Sequence, residues 1–585
     1  MKILLVSVNA KYIHTNPALY SLKEYALSHA DERERYGEQI ELAEYTVNHL
    51  PDQVLRDIFE RNPDVICISC YIWNIVYVRA LVSSLCRILP EAEIWLGGPE
   101  VSFESRACLM SMPGIRGIMA GEGERTFSRL ASHYIEGKPA FHEIGGIIWR
   151  EGDSVTEGEP APVMDLDRLP FLYEHGCPDN KILYYESSRG CPFRCSYCLS
   201  SVDKHLRFRD LALVKKELQY FLDRKVPQVK FVDRTFNCRR EHALCIWRYI
   251  KEHDNGITNF HFEIAADLMD EEELALLKEM RPGQIQLEIG VQSTNPDTIR
   301  EIRRSMDLDR VREVVERINS FGNIHQHLDL IAGLPWENLE SFKRSFNEVY
   351  SMRPEQLQLG FLKVLKGSYM YEKVSDYGIS YQEYPPYEVL STKWLPYKDI
   401  IRLKSIEDMT EVYYNSGQFK HMLRYLEGYY PSPYEMYDEL AEFYRREGLL
   451  FLALNRMDRY RLLFRFLEET KEADLSVGRQ LLTYDLYLRE NVRNRPDFAA
   501  DESQYRKEIG DFFAGESKNH TWLPGLRELN YRQLLHTAHM EILDFNLQKF
   551  LEKGELCREK CRVLFDYSRR SPLDGNAAVC QILDK

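Results

Sequence analysis

The chain lacks the roughly 18 unbroken apolar residues that a membrane-spanning helix needs, so no insertion into a bilayer is expected. It also lacks an excess of basic charge: 76 Lys and Arg stand against 91 Asp and Glu, a net charge of −15. That balance argues against a surface given over to nucleic-acid phosphates, and no DNA-reading module is recognisable. There is no Walker-type phosphate loop, no complete G-x-G-x-x-G, no H-E-x-x-H and no G-x-S-x-G. Their absence sets aside several common nucleotide, zinc-protease and serine-hydrolase chemistries. The apolar opening MKILLVSVNA has no basic stretch and no convincing cleavage site, so it reads as a buried first strand rather than a signal peptide. No internal repeat or low-complexity tract occurs, and DERERYGE (31–38) reads as a solvated helix end. What is present is a globular composition, 44% hydrophobic and 29% charged, in 585 residues. That is enough chain for about three to four domains. Thirteen cysteines without an export signal point to a reducing cytoplasm and to metal or redox use rather than disulfides.

Residues 1–135 alternate short apolar runs with helical stretches. ILLVSV (3–8), VICIS (65–69), EIWLGG (93–98) and GIRGIMAGEG (114–123) are the expected strands, and Asn16 to His29 has helical spacing. Such alternation predicts a doubly wound α/β domain with a parallel sheet covered on both faces. Residues 136–182 read as a linker, with a hairpin in GGIIWREGDSVTEG (145–158) turning near Gly152 and Asp153. From 183 to 375 the alternation resumes through ILYYESS, VKFVD, FHFEIAA, IQLEIGVQ, HLDLIAG and LQLGFLKVL, with helices expected at Asp270–Met280 and Pro296–Ile302. Six strand–helix units predict a partial (β/α)6 barrel, whose active groups sit at the C-terminal strand ends. That places Cys191, Asp233, Asp267 and Gly333 near one mouth. After 385 the texture is helical and rich in Tyr and Arg, with helical spacing through 435–457 and from Leu462 to Leu488.

The sharpest motif is SSRGCPFRCSYC (187–198), which spaces Cys191, Cys195 and Cys198 as C-x3-C-x2-C. Three thiolates on one loop suit a soft metal centre and leave one position without a cysteine. A closed zinc site supplies four ligands, usually as two separated pairs; Cys177 or Cys238 would have to complete it. Three ligands fit an iron–sulfur cluster with one open iron. His325 and His327 lie two apart and share a strand face, as satisfied core or surface histidines commonly do. Cys557 and Cys561, four apart, read as buried thiols on one helix face, with Cys580 following.

With Tyr197 in the aromatic position before Cys198, the motif resembles that of the radical S-adenosylmethionine (SAM) enzymes. The resemblance covers about residues 183–375. It implies a 4Fe-4S cluster on Cys191, Cys195 and Cys198, with SAM chelated at the open iron. It also implies one-electron cleavage of SAM to a 5′-deoxyadenosyl radical, fed by a reductase or a flavodoxin- or ferredoxin-type donor. FVDRTFN (231–237) stands at the second-strand motif and lacks the usual Gly-Gly-Glu. Tyr197, Asp233, Glu263, Glu288, Gln292 and Gly333 match positions that surround SAM; Glu263 or Glu288 pairing with an interior basic residue is the alternative. The first domain resembles the cobalamin-binding domain of one subgroup, which implies Ser69, Gly97, Gly98, Gly121 and Glu122 around cobalamin. No Asp-x-His-x-x-Gly occurs, Asp203-x-His205 being followed by Phe208, so no lower imidazole on cobalt is expected; His14 reads as a loop residue. The tail resembles an uncharacterised helical domain found on some cobalamin-type proteins.

Three functions remain open on this reading. One is a cobalamin-dependent radical SAM methyltransferase acting on an unactivated carbon of an unknown substrate. Another is a cyclisation or rearrangement using the same cofactors. The third is a non-catalytic cobalamin or redox sensor. Methylthiolation of tRNA is disfavoured, because neither a front-domain cysteine triad nor a small basic RNA-binding end is present.

Overall fold

The computed structural model describes residues 1–152 and 154–583; Asp153 of the expected turn and the last two residues lie outside them. The chain divides into two compact units. The first comprises Met1–Ile324, Ile331–Leu339 and Phe361–Tyr397, and the second His325–Leu330, Glu340–Gly360 and the residues from Lys398 onward.

The first unit opens with a seven-stranded sheet: β1 (Ile3–Asn9), β2 (Ile40–Thr46), β3 (Val65–Ser69), β4 (Glu93–Gly97), β5 (Gly117–Met119), β6 (Ile147–Glu151) and β7 (Ser154–Glu157), in the order β2-β1-β3-β4-β5-β6-β7. The first five are mutually parallel. Successive residues of β1 enter opposite cores. Leu4 and Val6 pack with Val78 and Leu81 of the helix Ile75–Ile88, while Ile3 and Leu5 pack with Leu19 and Phe127 of the helices Pro17–Ser28 and Gly123–Glu136. Each such burial contributes about 1.5–3 kcal/mol, and a strand apolar on both faces is stable only between two helix layers. The doubly wound expectation holds.

Two details differ from the sequence reading. β2, IELAEYT, carries polar residues that break the apolar run and conceal it in the sequence; it is an edge strand, with Glu41 and Glu44 only part-buried. The hairpin of β6 and β7 is no free linker either: β6 pairs antiparallel with β5 and continues the sheet.

Beyond it lie β8 (Leu183–Tyr185), the two-residue strands β9 (Ser188–Arg189) and β10 (Arg207–Phe208), then β11 (Gln228–Phe231), β12 (Asn259–Ile264) and β13 (Ile285–Gln292). β8, β11, β12 and β13 are parallel neighbours in that order. Val229, Phe260, Phe262, Ile285 and Leu287 are buried on one face. The helices Glu271–Lys278 and Pro296–Glu301 fall where expected, started by the side-chain caps of Asp270 and Asn295. β14 (His325–Ala332) and β15 (Gln356–Phe361), with the helix Leu339–Ser351 between them, complete the six strands read from the sequence. β16 (Ser380–Tyr381) and β17 (Val389–Ser391) form a small antiparallel pair.

The second unit explains the many tyrosines of the tail. Tyr350, Tyr413, Tyr437 and Tyr460 are fully buried, and their hydroxyls find partners, as Tyr350 on Glu427 at 2.6 Å and Tyr413 on Tyr444 at 2.5 Å. Asp485, also buried, accepts the Met422 amide at 2.9 Å and faces His421 Nδ1 at 2.6 Å. Helices dominate, but the 435–457 stretch is not one helix: it stops at Arg446 and turns at Gly448, whose φ is +68°. The tail also ends in an antiparallel sheet, β18 (Ala538–Leu543), β19 (Cys561–Arg570) and β20 (Ala577–Leu583). Cys557 therefore lies in a loop, and Cys561 and Cys580 lie on strands, so the shared helical face was wrong. Short apolar runs rich in β-branched and aromatic residues, VLFDY and AVCQIL, carried the strand signal that four-residue spacing concealed. Among the described residues no helix is long and apolar enough to cross a membrane.

Candidate functional site

The cysteine loop leaves β8 through Glu186–Ser187–Ser188, a turn built around Asp233. That carboxylate is fully buried and accepts the Ser187 amide at 2.9 Å, the Ser187 hydroxyl at 2.7 Å and the Ser188 hydroxyl at 2.6 Å. Burial pushes its pKa from 3.8 up to about 6, against the pull of those donors. His242 Nε2 stands 3.0 Å from Ser187 Oγ, and burial lowers its pKa to about 4, which keeps it neutral. The side chain of Asp233, assigned to SAM from the sequence, is thus directed at the root of the cysteine loop. Gly190, at φ +99°, has no room for a side chain: a Cβ would lie 2.7 Å from the His205 carbonyl oxygen.

Cys195 is buried, and its Sγ lies 3.7 Å from Nη1 of Arg304, which also reaches Tyr197 Oη at 3.5 Å. Burial raises the Cys195 thiol, and the guanidinium opposes it. Arg304 Nη2 donates to the Gly290 carbonyl, while its Nε, buried, has no partner among the described residues. Cys191 Sγ is 3.6 Å from Thr235 Oγ1. Cys238 stands near Cys191, its thiol raised by burial to about 11, whereas Cys177 sits beside Tyr20 and Tyr220. Among the described residues no three His, Cys, Asp or Glu side chains converge tightly enough for a single ion. The donor set of three thiolates on one loop suits an iron–sulfur cluster with one open iron; Cys191, Cys195 and Cys198 would hold it.

The other face of β11, β12 and β13 is polar: Lys230, His261, Glu263, Glu288 and Gln292 alternate with the buried apolar side chains. Glu263 and Glu288 are register partners. Glu288 meets His261 Nε2 at 2.9 Å and Lys230 Nζ at 3.0 Å. Burial alone would raise its carboxyl, but these two partners hold it down at about 2. The interior pairing weighed for Glu288 is what the structure displays. Gln292, buried at the end of β13 with φ +73°, keeps its Oε1 without a partner among the described residues. Non-glycine strain of this kind concentrates at functional sites, and an unmatched acceptor fits a ligand carrying an N–H. Gly333 packs on Val389 just beyond β14.

In the first domain Ser69, Gly97, Gly98 and Gly121 line one cavity of about 130 Å³, together with Leu19 and Met119. Gly98 has φ +103°, and a Cβ there would stand 2.6 Å from the Cys70 carbonyl oxygen. Small residues at strand ends and an apolar floor suit a bulky ligand at the sheet's C-terminal edge. Glu122 does not join them. Its carboxylate accepts Arg207 at 2.5 and 3.1 Å and the Met164 amide at 2.9 Å, contacts that lie within the protein. His14 pairs with Ile182 in an isolated bridge, and its Nδ1 lies 2.8 Å from Tyr184 Oη. Sequence reasoning missed Arg304, Arg207 and Arg189. Arg304 is 109 residues from Cys195, and no local pattern links them.

Residues 4–131 match the model of the B12 binding domain, 185–349 that of the radical SAM superfamily, and 375–565 a family described as a protein of unknown function (DUF4080). Among curated proteins, the cobalamin-dependent radical SAM methyltransferase TokK of Streptomyces tokunonensis is 24% identical over 60% of this chain and 54% of its own. The 2-(S-pantetheinyl)-carbapenam-3-carboxylate methyltransferase of Streptantibioticus cattleyicolor is 24% identical over 48% and 44%. An anaerobic magnesium-protoporphyrin IX monomethyl ester cyclase of Rubrivivax gelatinosus is 21% identical over 56% and 61%. The chain thus spans about half the length of the first two relatives. Solved structures that share its fold include two radical SAM enzymes. The radical SAM methyltransferase TsrM of Kitasatospora setae has TM-score 0.54 and 17% identity, over 64% of this chain and 76% of that one. The cobalamin-dependent radical enzyme OxsB has TM-score 0.51 and 14% identity, over 92% and 84%. With the three-thiolate loop and the glycine-lined cleft in one compact unit, the chain carries a B12-binding domain, then a radical SAM domain, then a domain of unknown function, a makeup that implies a 4Fe-4S cluster, SAM and cobalamin as cofactors.

Proposed function

We propose that this chain is an enzyme that methylates an unactivated carbon of a small or macromolecular substrate. Such a reaction needs an electron donor of reductase, flavodoxin or ferredoxin type. The observation that carries the reading is a cavity of about 420 Å³ lined from both sides, by Gly123 and Glu124 of the first domain and by Ser188, Arg189 and Gly190 at the root of the cysteine loop. When bound, the cluster, SAM and cobalamin supply the radical and methyl-group chemistry that side chains cannot. The chain's own share is positional: Asp233 pins the loop, Arg304 sets a positive charge beside Cys195, and Gln292 presents an unmatched acceptor. The methyltransferase relatives support methyl transfer as the outcome. The cyclase relative favours a second reading, ring formation without methyl transfer.

Product analysis separates the two. With methyl-deuterated SAM, a reductant and cell extract as substrate source, methylation is expected to yield S-adenosylhomocysteine and 5′-deoxyadenosine in about equal amounts, plus a product carrying the labelled methyl. Substrate-dependent 5′-deoxyadenosine without S-adenosylhomocysteine would replace methylation by rearrangement. Release of neither would favour a sensor. Replacing Cys191, Cys195 and Cys198 together by Ala is expected to abolish both nucleoside formation and the binding of roughly four irons per chain. Iron retained by that variant would sink the cluster assignment.

A further inference from the structure

Residues 190–206, which contain all three cysteines of the motif, leave and rejoin the barrel through a single short ribbon, β9 against β10. Within it Arg189 and Arg207 are direct partners. Like charges directly opposite on two strands repel, and a two-residue ribbon offers little pairing to offset the repulsion. Both side chains are mostly buried, 20% and 15% exposed, so water screens them poorly.

Half of the compensating carboxylates come from the first domain. Glu122 accepts two hydrogen bonds from Arg207, at 2.5 and 3.1 Å, and stands 3.4 Å from Arg189 Nη1. Glu124 accepts Arg189 Nη2 at 2.8 Å and the Ser21 hydroxyl at 3.2 Å. Within the barrel, Glu186 takes Arg189 at 2.7 and 2.9 Å, and Asp203 takes Arg207 at 3.2 Å. Glu122 and Glu124 flank the first residue of the helix Gly123–Glu136, whose positive end favours carboxylates there. One bridging carboxylate between two opposed guanidinium groups turns a repulsive pair into a network.

We propose that Glu122 and Glu124 are positioning residues that clasp the base of the cysteine loop, so that the order of the cluster-binding loop depends on the first domain. Glu124 also lines the glycine cleft. The group bound there therefore borders the same carboxylate that holds Arg189, and filling the cleft is coupled to closing the loop. The iron arm of the test rests on the three cysteines being cluster ligands; the clasp itself does not.

The test uses the full chain and reads hydrogen exchange in the iron-free protein, with the amides of β13 as internal reference. In Glu122→Gln/Glu124→Gln, residues 190–206 are expected to exchange about tenfold faster or more, with β13 unchanged. Iron bound after anaerobic reconstitution is expected to fall below about half. Adding Arg207→Gln removes the opposed charge and is expected to return loop protection to within about threefold of wild type. A loop that is unchanged in the double variant, or not restored by Arg207→Gln, overturns the clasp. Should β13 also lose protection in the double variant, Glu122→Gln alone is read by the same criteria. Loop exchange that follows the prediction while no variant, wild type included, binds iron would leave the clasp standing and remove the cluster reading.

Discussion

Asp233 carries a carboxylate into a site where its hydrogen-bond partners are one amide and two hydroxyls, and its pKa rises from 3.8 to about 6. Between those values the folded chain holds a proton that the unfolded chain has released. Stability therefore falls as pH rises from about 4 to 6 and levels off above, a change of about 3 kcal/mol. Asp233→Asn removes the titrating group. Its thermal midpoint, measured on iron-free protein beside wild type, is expected to gain on wild type as pH rises from 4 to 6.5; a constant difference would contradict the burial argument. Glu288 behaves oppositely: its pairing with His261 and Lys230 contributes above pH 4.5 and is lost as pH falls through about 2. The cysteine motif was readable because its chemistry lies in twelve consecutive residues. Arg304 was not, because its role exists only where Gly290, Cys195 and Tyr197 meet.

At the scale of elements, strands with one apolar face or two were legible and mixed ones were not. β3 and β4 announce themselves as VICIS and EIWLG, whereas β2 hides its pairing with β1 behind Glu41 and Glu44. The strand-to-helix turn after β4 offers a quantitative check. Gly98 and Gly121 both have positive φ, but a Cβ on Gly98 meets the Cys70 carbonyl oxygen at 2.6 Å while one on Gly121 meets nothing within 4 Å. Gly121→Ala therefore carries backbone strain alone, about 1 kcal/mol, and Gly98→Ala adds a clash with fixed backbone, for about 3 kcal/mol or more. Thermal unfolding with hydroxocobalamin titration is expected to rank Gly98→Ala as the worse in both stability and affinity. Equal effects would show that the turn shifts freely.

Across the first unit, His14 joins the loop after β1 to the start of the barrel through Ile182 and Tyr184. Burial lowers its pKa, and its Nδ1 is engaged. Together with the missing Asp-x-His-x-x-Gly, this predicts cob(II)alamin bound without an imidazole. Its electron paramagnetic resonance spectrum is expected to lack nitrogen splitting from the protein. Splitting that disappears in His14→Ala would show that the histidine leaves Tyr184 for cobalt.

The sequence by itself determined the class of each part. Periodicity separates buried parallel strands from amphipathic helices, and a soft-ligand motif within one loop names its chemistry without reference to distant residues. Tertiary structure alone decided which partners each charged group meets. The Glu122 carboxylate meets Arg207, and that of Asp233 meets Ser187 and Ser188, partners that no local pattern announces. A carboxylate's role depends on which donors lie within about 3 Å of it. Those donors come from segments 46 and 85 residues away, a proximity that only the folded chain creates.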